Sequence, residues 1–420
     1  MTLKDSVWIG AERACSLLLA LLLNAWLFRQ LGAHGFGLLA LGLGVAAFTV
    51  LANFGLPSAL NRIIALGVST ERARKVLSTA LLSTALLGGL LVPLMFAAAD
   101  WLGRVAFSAM AAPAEVAGVL RLSSLLLLLE ALDSLVMAAL RGAGRERTIA
   151  LSDLLLRSAH ALAVGSAVLF DRSAEALLGV MLLTAGARAA LRLVLARQAL
   201  GIVGCRWPTI CFRELAALFE FGRWQWLKQS GAALYGVADR LLFGGLFGSV
   251  QLAHYSLCVQ LAQIVFIVPA ALLQPSLGRI ARATEAGTRL PRLGKQMMLM
   301  QLAVLGIALL VLAAGPWVLL LLMGASDIDG RMLALAVLAS TLMALQVAPN
   351  FILLGAGENR RVGLIAFFGS GASLLLCWAV HPLGPLAFMA ARCLQGVVAL
   401  GNYPTLRVTL ATLTGAAASR

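Results

Sequence analysis

The chain has 420 residues, of which 61% are hydrophobic and only 12% charged, with a formal net charge of +15. Together with a mean hydropathy of +0.94, this excludes an ordinary soluble protein. The basic excess is spread over short connections between apolar runs rather than gathered on one surface, so a nucleic-acid partner is excluded as well.

Apolar stretches of about 20 residues, enough to cross a hydrocarbon core of about 30 Å, recur about twelve times. They lie near 7–29, 36–57, 76–99, 116–139, 149–170 and 174–196, then near 218–243, 252–275, 296–320, 331–354, 361–380 and 384–406. At this segment length only helices satisfy their own backbone groups in lipid, which predicts an all-α, polytopic bundle of about twelve transmembrane helices. The first stretch carries Glu12 and Arg13 and is long enough to span, so it is read as a retained helix rather than a cleaved signal peptide.

The connections alternate in sign. Arg62, Arg72, Arg74 and Lys75, then Arg141, Arg145 and Arg147, then Arg197, Arg206 and Arg213 occupy every second one. Arg279, Arg282, Arg289, Arg292 and Lys295 continue the series, followed by Arg360 and Arg361. Asp100 and Glu115, Asp171 and Glu175, and Asp327 and Asp329 fall between them. Cations concentrate on the cytoplasmic side of membrane proteins, which places the basic connections and both termini in the cytoplasm. Tryptophans at 8, 26, 101, 224, 226, 317 and 378 lie near predicted segment ends, where an amphipathic ring prefers the interface.

A signature returns at half the chain length. Leu140-Arg-Gly-Ala-Gly144-Arg-Glu-Arg147 recurs as Leu353-Leu-Gly-Ala-Gly357-Glu-Asn-Arg360, 213 residues later. Phe28, Gly32, Phe36, Pro57 and Arg62 are echoed by Phe243, Gly248, Tyr255, Pro275 and Arg279 at offsets of 215–219. Two matches at nearly one offset predict two six-helix pseudo-repeats, residues 1–205 and 206–420, joined by a cytoplasmic connection. Duplicated membrane bundles are a transporter plan, with a substrate site where the repeats meet.

Charges inside spans are costly and mark candidate sites. The fourth span holds Glu130 and Asp133. The fifth holds Asp153, Arg157 and His160, whose spacing puts them on one helical face. The seventh holds Lys228 and Asp239 with Tyr235 between them, and the twelfth holds Arg392. Arg13, Arg157, Lys228 and Arg392 are the candidate substrate-binding cations. Glu130, Asp133, Asp153 and Asp239 are the candidate ion-coupling carboxylates, since a semi-buried carboxyl can exchange a proton. Bland readings stand beside these. Arg13 and Asp153 can snorkel to the interface, and Asp153–Arg157 can be a structural pair. Glu130 and Asp133 can pack against arginines of a neighbouring helix, and Asp239-Arg240 can be a helix-end feature facing the outer interface. The six cysteines are scattered with no Cys-x-x-Cys or Cys/His cluster, so no metal or redox cofactor is expected.

Arg29-Gln-Leu-Gly-Ala-His-Gly-Phe-Gly37, followed by Gly55-Leu-Pro-Ser-Ala-Leu-Asn-Arg62, resembles the opening of polysaccharide transporters. Ala238-Asp-Arg-Leu-Leu-Phe-Gly244, Ala253-His-Tyr-Ser256 and Gln274-Pro275 are similar to that family's seventh and eighth helices. With the two Gly-Ala-Gly connections, the resemblance covers nearly the whole chain. The family is that of the O-antigen (Wzx-type) flippases, within the multidrug/oligosaccharidyl-lipid/polysaccharide exporter superfamily. Ala33-His34 departs from the commonest opening, where many members carry a proline or an acid.

The resemblance implies two six-helix bundles around a central cavity. It also implies transport of an undecaprenyl-diphosphate-linked oligosaccharide across the bacterial inner membrane, with membrane lipids and the polysaccharide polymerase and chain-length machinery as partners. A cation cluster would match the diphosphate. One rival is a multidrug or cation antiporter of the same superfamily, whose cavity would be acidic or aromatic; here only 18 residues are acidic. The other is a membrane-embedded enzyme of polysaccharide assembly, for which no nucleophile-elbow, phosphate-loop or metal motif is visible. The expectation is a transporter without catalytic residues.

Overall fold

The computed structural model describes residues 3–110, 112–202, 209–288, 290, 293–324 and 328–414, and every regular element among them is helical. Helix α1 (Leu3–Ala47) contains the first expected span and part of the second, broken at Gly32, which has φ 68° and ψ 179°. The short α2 (Thr49–Ala52) and α3 (Leu56–Ala65) continue the second span. Helix α4 (Thr70–Val105) starts at Ser69, whose hydroxyl accepts the Arg72 N–H at 3.4 Å and so satisfies one free amide of the first turn. Then come α5 (Pro113–Gly142), α6 (Glu146–Ala167) and α7 (Ala174–Ala199). Helix α8 (Phe212–Ala233) runs through a π-helical turn at Leu234–Ala238 into α9 (Asp239–Ala262), broken in turn at Gly248. The remainder is α10 (Ile264–Glu285), α11 (Leu293–Met323), α12 (Gly330–Leu345), α13 (Val347–Gly355) and α14 (Asn359–Val380). Three short helices end the described chain: α15 (Pro385–Ala391), α16 (Cys393–Ala399) and α17 (Tyr403–Thr414).

Among the described residues, eight segments are long and apolar enough to span a membrane by length and composition. The difference from about twelve has local causes. Phe212–Ala270 is one continuous segment that contains both the seventh and most of the eighth expected spans. Helix α6 carries Asp153 and Arg157 in mid-length, and the last expected span is divided among α15, α16 and α17. The chain is a polytopic helical membrane protein. Trp26, Trp101, Trp317 and Trp378 are all exposed, as interfacial rings should be.

The repeat expected from the sequence has a counterpart in backbone geometry. Gly32 and Gly248, paired at one of the repeat offsets, both take positive φ with extended ψ (68°/179° and 82°/176°) inside otherwise helical segments. At the second motif, the Arg145 N–H donates to Leu140 O at 3.2 Å and the Gly144 N–H to Arg141 O at 2.9 Å. The Glu358 N–H donates to Leu353 O at 2.9 Å and the Gly357 N–H to Leu354 O at 3.2 Å. Gly144 and Gly357 take φ of 71° and 94° in these turns. Each closes a helix C-terminus with a six-to-one hydrogen bond around a left-handed glycine. A 22-residue helix, α6 or α14, starts directly after each.

The chain forms two compact units, Thr2–Ala233 with Arg240–Ala253, and Leu234–Asp239 with His254–Arg420. Helix α8, which the division after residue 205 assigns to the second repeat, packs with the first unit, against α2, α3 and α4. Leu60, Leu77, Leu140 and Leu218 are core residues of the first unit, and Ile280, Leu353 and Leu406 of the second.

Candidate functional site

Two buried charge clusters stand out, one in each unit. In the first unit, α5 supplies Glu130 and Asp133, α6 supplies Asp153, and α7 supplies Arg188 and Arg192. The Arg188 Nε–H donates to Asp133 Oδ2 at 3.1 Å while Nη2 meets Glu130. Arg192 reaches Asp133 with Nη1 and Asp153 with Nη2. The spacing explains the convergence. Thr184, Arg188 and Arg192 recur every four residues and share one face of α7, and Thr184 takes the His160 ring of α6 at 2.7 Å. Arg192, Asp133 and Asp153 side chains are only 5–7% exposed. Three carboxylates face two guanidinium groups, one formal negative charge in excess. Asp133 Oδ1 and Arg192 Nε are buried without a hydrogen-bond partner.

In the second unit, Asp239 follows the π turn and meets Arg392, which lies between α15 and α16, with Nε 2.8 Å from Oδ2. The Tyr255 hydroxyl donates to the same carboxylate oxygen. The Arg392 guanidinium lies over the Tyr235 and Tyr255 rings at 4.8 and 5.4 Å from their centroids. Arg392, Asp239 and Tyr255 are 2%, 3% and 0% exposed, so this ion pair is sealed, with aromatic faces replacing water around the cation.

The structure therefore redistributes the sequence candidates. Asp153 pairs with Arg192, an arginine that the sequence reading did not single out. Glu130 and Asp133 pack against arginines of a neighbouring helix, the bland alternative weighed for them. Asp239 is a buried partner of Arg392, not a feature facing the outer interface. Lys228 and Asp239 are separated by the π-helical turn at Leu234–Ala238 and fall in different compact units. Arg157 and Lys228, expected from opposite halves, belong to the same unit, Arg157 exposed and Lys228 half-buried. The Arg13 side chain lies outside the described residues.

Arg188 and Arg192 carried a readable signal, two arginines at i, i+4 within the 174–196 apolar run. Tyr255 entered the sequence reading as a repeat position and within the Ala253–Ser256 motif, not as a partner of a charge, and its hydroxyl bond to Asp239 depends on tertiary packing.

The model of the family described as polysaccharide biosynthesis protein matches residues 2–280. No curated protein sequence matches the chain. Among solved structures, the inward-facing conformation of a multidrug resistance MATE family transporter of the MOP superfamily is similar with a TM-score of 0.71 and 15% identity, covering 95% of this chain and 96% of that one. MATE in the bent conformation aligns at TM-score 0.65 and 14% identity, over 99% and 97% of the two chains. MATE in complex with MaL6 gives 0.66 and 15%, over 98% and 96%. At these identities the likeness is one of fold. The chain belongs to the polysaccharide biosynthesis protein family, as a multi-pass membrane protein with the fold of MOP-superfamily transporters.

Proposed function

We propose that this chain moves an undecaprenyl-diphosphate-linked oligosaccharide, an O-antigen or exopolysaccharide repeat unit, across the bacterial inner membrane by alternating access, with both termini cytoplasmic. One observation carries the reading: a polysaccharide biosynthesis family model covers residues 2–280 of a chain whose fold, along its length, is that of transporters. In the assembly of a polysaccharide, the task suited to a transporter fold is moving the saccharide across the membrane.

Charge placement supports it. A diphosphate crossing lipid needs cations along its path. Arg157 is exposed on α6 and Lys228 half-buried on α8, so neither is sealed as Arg392 is. Arg392 is matched one-to-one by Asp239, which makes that pair a structural element that a substrate phosphate would have to compete for. Arg13 remains a candidate from its position in the first helix. The excess carboxylate of the Glu130–Asp133–Asp153 cluster is the place we assign to a coupling cation, while Asp239 serves Arg392. Working partners on this reading are the lipid carrier, membrane lipids, and the polymerase and chain-length machinery.

A deletion strain tests the reading. It should lose surface polysaccharide and accumulate lipid-linked repeat units, and the intact chain should restore both. Arg157→Ala and Lys228→Ala, at normal protein levels, should lower surface glycan about tenfold or more, since one hydrogen bond to a charged group is worth about 1.5–3 kcal/mol. Arg157→Lys should keep part of the activity. A deletion strain with normal surface glycan and raised drug sensitivity would instead establish the multidrug antiporter.

A further inference from the structure

Gly32 and Gly248 break α1 and α9 at repeat-related places, and residues just past the two breaks touch. His34 Nδ1 lies 2.7 Å from the Ser249 hydroxyl, across a separation of 215 residues. That is the offset that pairs Phe28 with Phe243 in the repeat. Matching positions of two copies meet only close to the axis that relates the copies. In repeat-built transporters the substrate path follows the interface along such an axis. The contact lies wholly inside the first compact unit, in the segment just before the chain passes to the second at His254.

Backbone makes the closure. A Cβ on Gly37 would collide with the Ser249 carbonyl oxygen, so α1 and α9 meet there with no room for a side chain. A Cβ on Gly245 would lie 2.6 Å from Ala106 O, and one on Gly248 2.8 Å from Ala109 O, so the turn after α4 packs on α9 as closely. At Gly44, about 10 Å further along α1, the neighbour is no longer backbone. A Cβ there would meet only the tip of Leu241, 3.0 Å from Cδ2. The two helices therefore touch at the Gly37 end and part towards the other.

The side-chain ties across this contact are light. Besides the Ser249 hydrogen bond, His34 Nε2 stands 3.6 Å from Glu115 Oε2 in the first turn of α5, with the two side chains 44% and 55% exposed. One neutral hydrogen bond and one half-exposed contact are weak ties, whereas a sealed pair such as Asp239–Arg392 is costly to part. A tight backbone fit under weak side-chain ties excludes water when closed and still opens readily. On the orientation proposed above, the connection between α4 and α5 faces outward, and this contact with it. We propose that Gly37, His34 and Ser249 form the outer gate of the transport path, closed in this structure and parted once in each cycle to release the saccharide. The inference rests on the translocation reading above and names the residues that must separate for it.

The test bridges the contact with a metal. Ser249→Cys is nearly isosteric and sets a thiolate beside His34 Nδ1, a pair that zinc can join. The full chain is placed in vesicles with a fluorescent undecaprenyl-diphosphate-linked N-acetylglucosamine as the probe. Zinc added outside should slow transport by the Ser249→Cys variant about tenfold, and a chelator should restore it. The parent, and His34→Ala combined with Ser249→Cys, should not respond to zinc. Full transport while zinc raises the variant's unfolding temperature overturns the proposal, because the bridge then forms without mattering. Zinc without effect on either would mean that the two side chains do not meet, which overturns it too. Spin labels on non-canonical side chains at positions 33 and 250 give a readout that needs no transport. With the probe present, the parent should populate a short and a long distance, and Gly37→Ala should favour the long one. A single distance in the parent, or a folded Gly37→Ala variant with the parent's distribution, contradicts the gate. A parent that shows both distances but moves no probe refutes the translocation reading and leaves the opening contact standing.

Discussion

Arg392 and Arg157 are both single cations inside predicted spans, yet they sit in opposite environments. Arg392 is 2% exposed and its charge is compensated by Asp239 and two tyrosine rings; Arg157 is exposed. Removing one partner of a sealed pair leaves the other charge unpaired, so Arg392→Ala should cost about 3–5 kcal/mol of stability. Adding Asp239→Ala should recover part of that loss, and thermal unfolding in detergent measures both. Arg192→Ala should be similarly severe, because it removes the buried arginine that Asp133 and Asp153 share. Arg157→Ala should leave the unfolding temperature within a few degrees while lowering transport. If instead Arg392→Ala is as stable as the parent, the pair is not structural. Sequence identified most of the charges that lie in spans, Arg188 and Arg192 apart, but not which residues pair. Asp153 and Arg157 are four residues apart on one helix, the obvious pair, yet Asp153 bonds to an arginine 39 positions away. Local spacing constrains the face of a helix; which neighbour meets that face is a matter of packing between helices.

At the scale of elements, the legible features were those with a backbone cause. Gly144 and Gly357 close α5 and α13 with the same hydrogen-bond pattern, and the repeated Gly-Ala-Gly motif announced both. A left-handed conformation costs a residue with a Cβ about 1–2 kcal/mol. Gly144→Ala and Gly357→Ala should therefore each destabilise by about that amount, and by similar amounts, in thermal unfolding of the purified chain. A large asymmetry would mean that the two turns are not equivalent. Gly32 and Gly248 were visible for the same reason, as paired glycines at the repeat offset. The π turn at Leu234–Ala238 was not visible, because Leu-Tyr-Gly-Val-Ala continues an apolar helical pattern. It is held by what packs around it, and Tyr235 and Asp239 on its rim meet Arg392.

For the molecule as a whole, composition alone was enough to place the chain in a membrane, and the alternation of charged connections predicts an orientation with both termini cytoplasmic. Ser69→Cys and Asp329→Cys should be labelled by a membrane-impermeant reagent from opposite sides; labelling of both from one side contradicts the assigned topology. The compact units, with α8 in the first, were not legible, since the repeat offset records how the sequence is duplicated and not where each helix docks. The central claim, translocation of a lipid-linked saccharide, is tested most directly in vesicles holding the purified chain and a fluorescent undecaprenyl-diphosphate-linked sugar in both leaflets. A membrane-impermeant quencher added outside should bleach nearly all of the fluorescence when the parent chain is present and about half when it is absent. Bleaching that stops at half with the folded, correctly inserted chain would contradict the account.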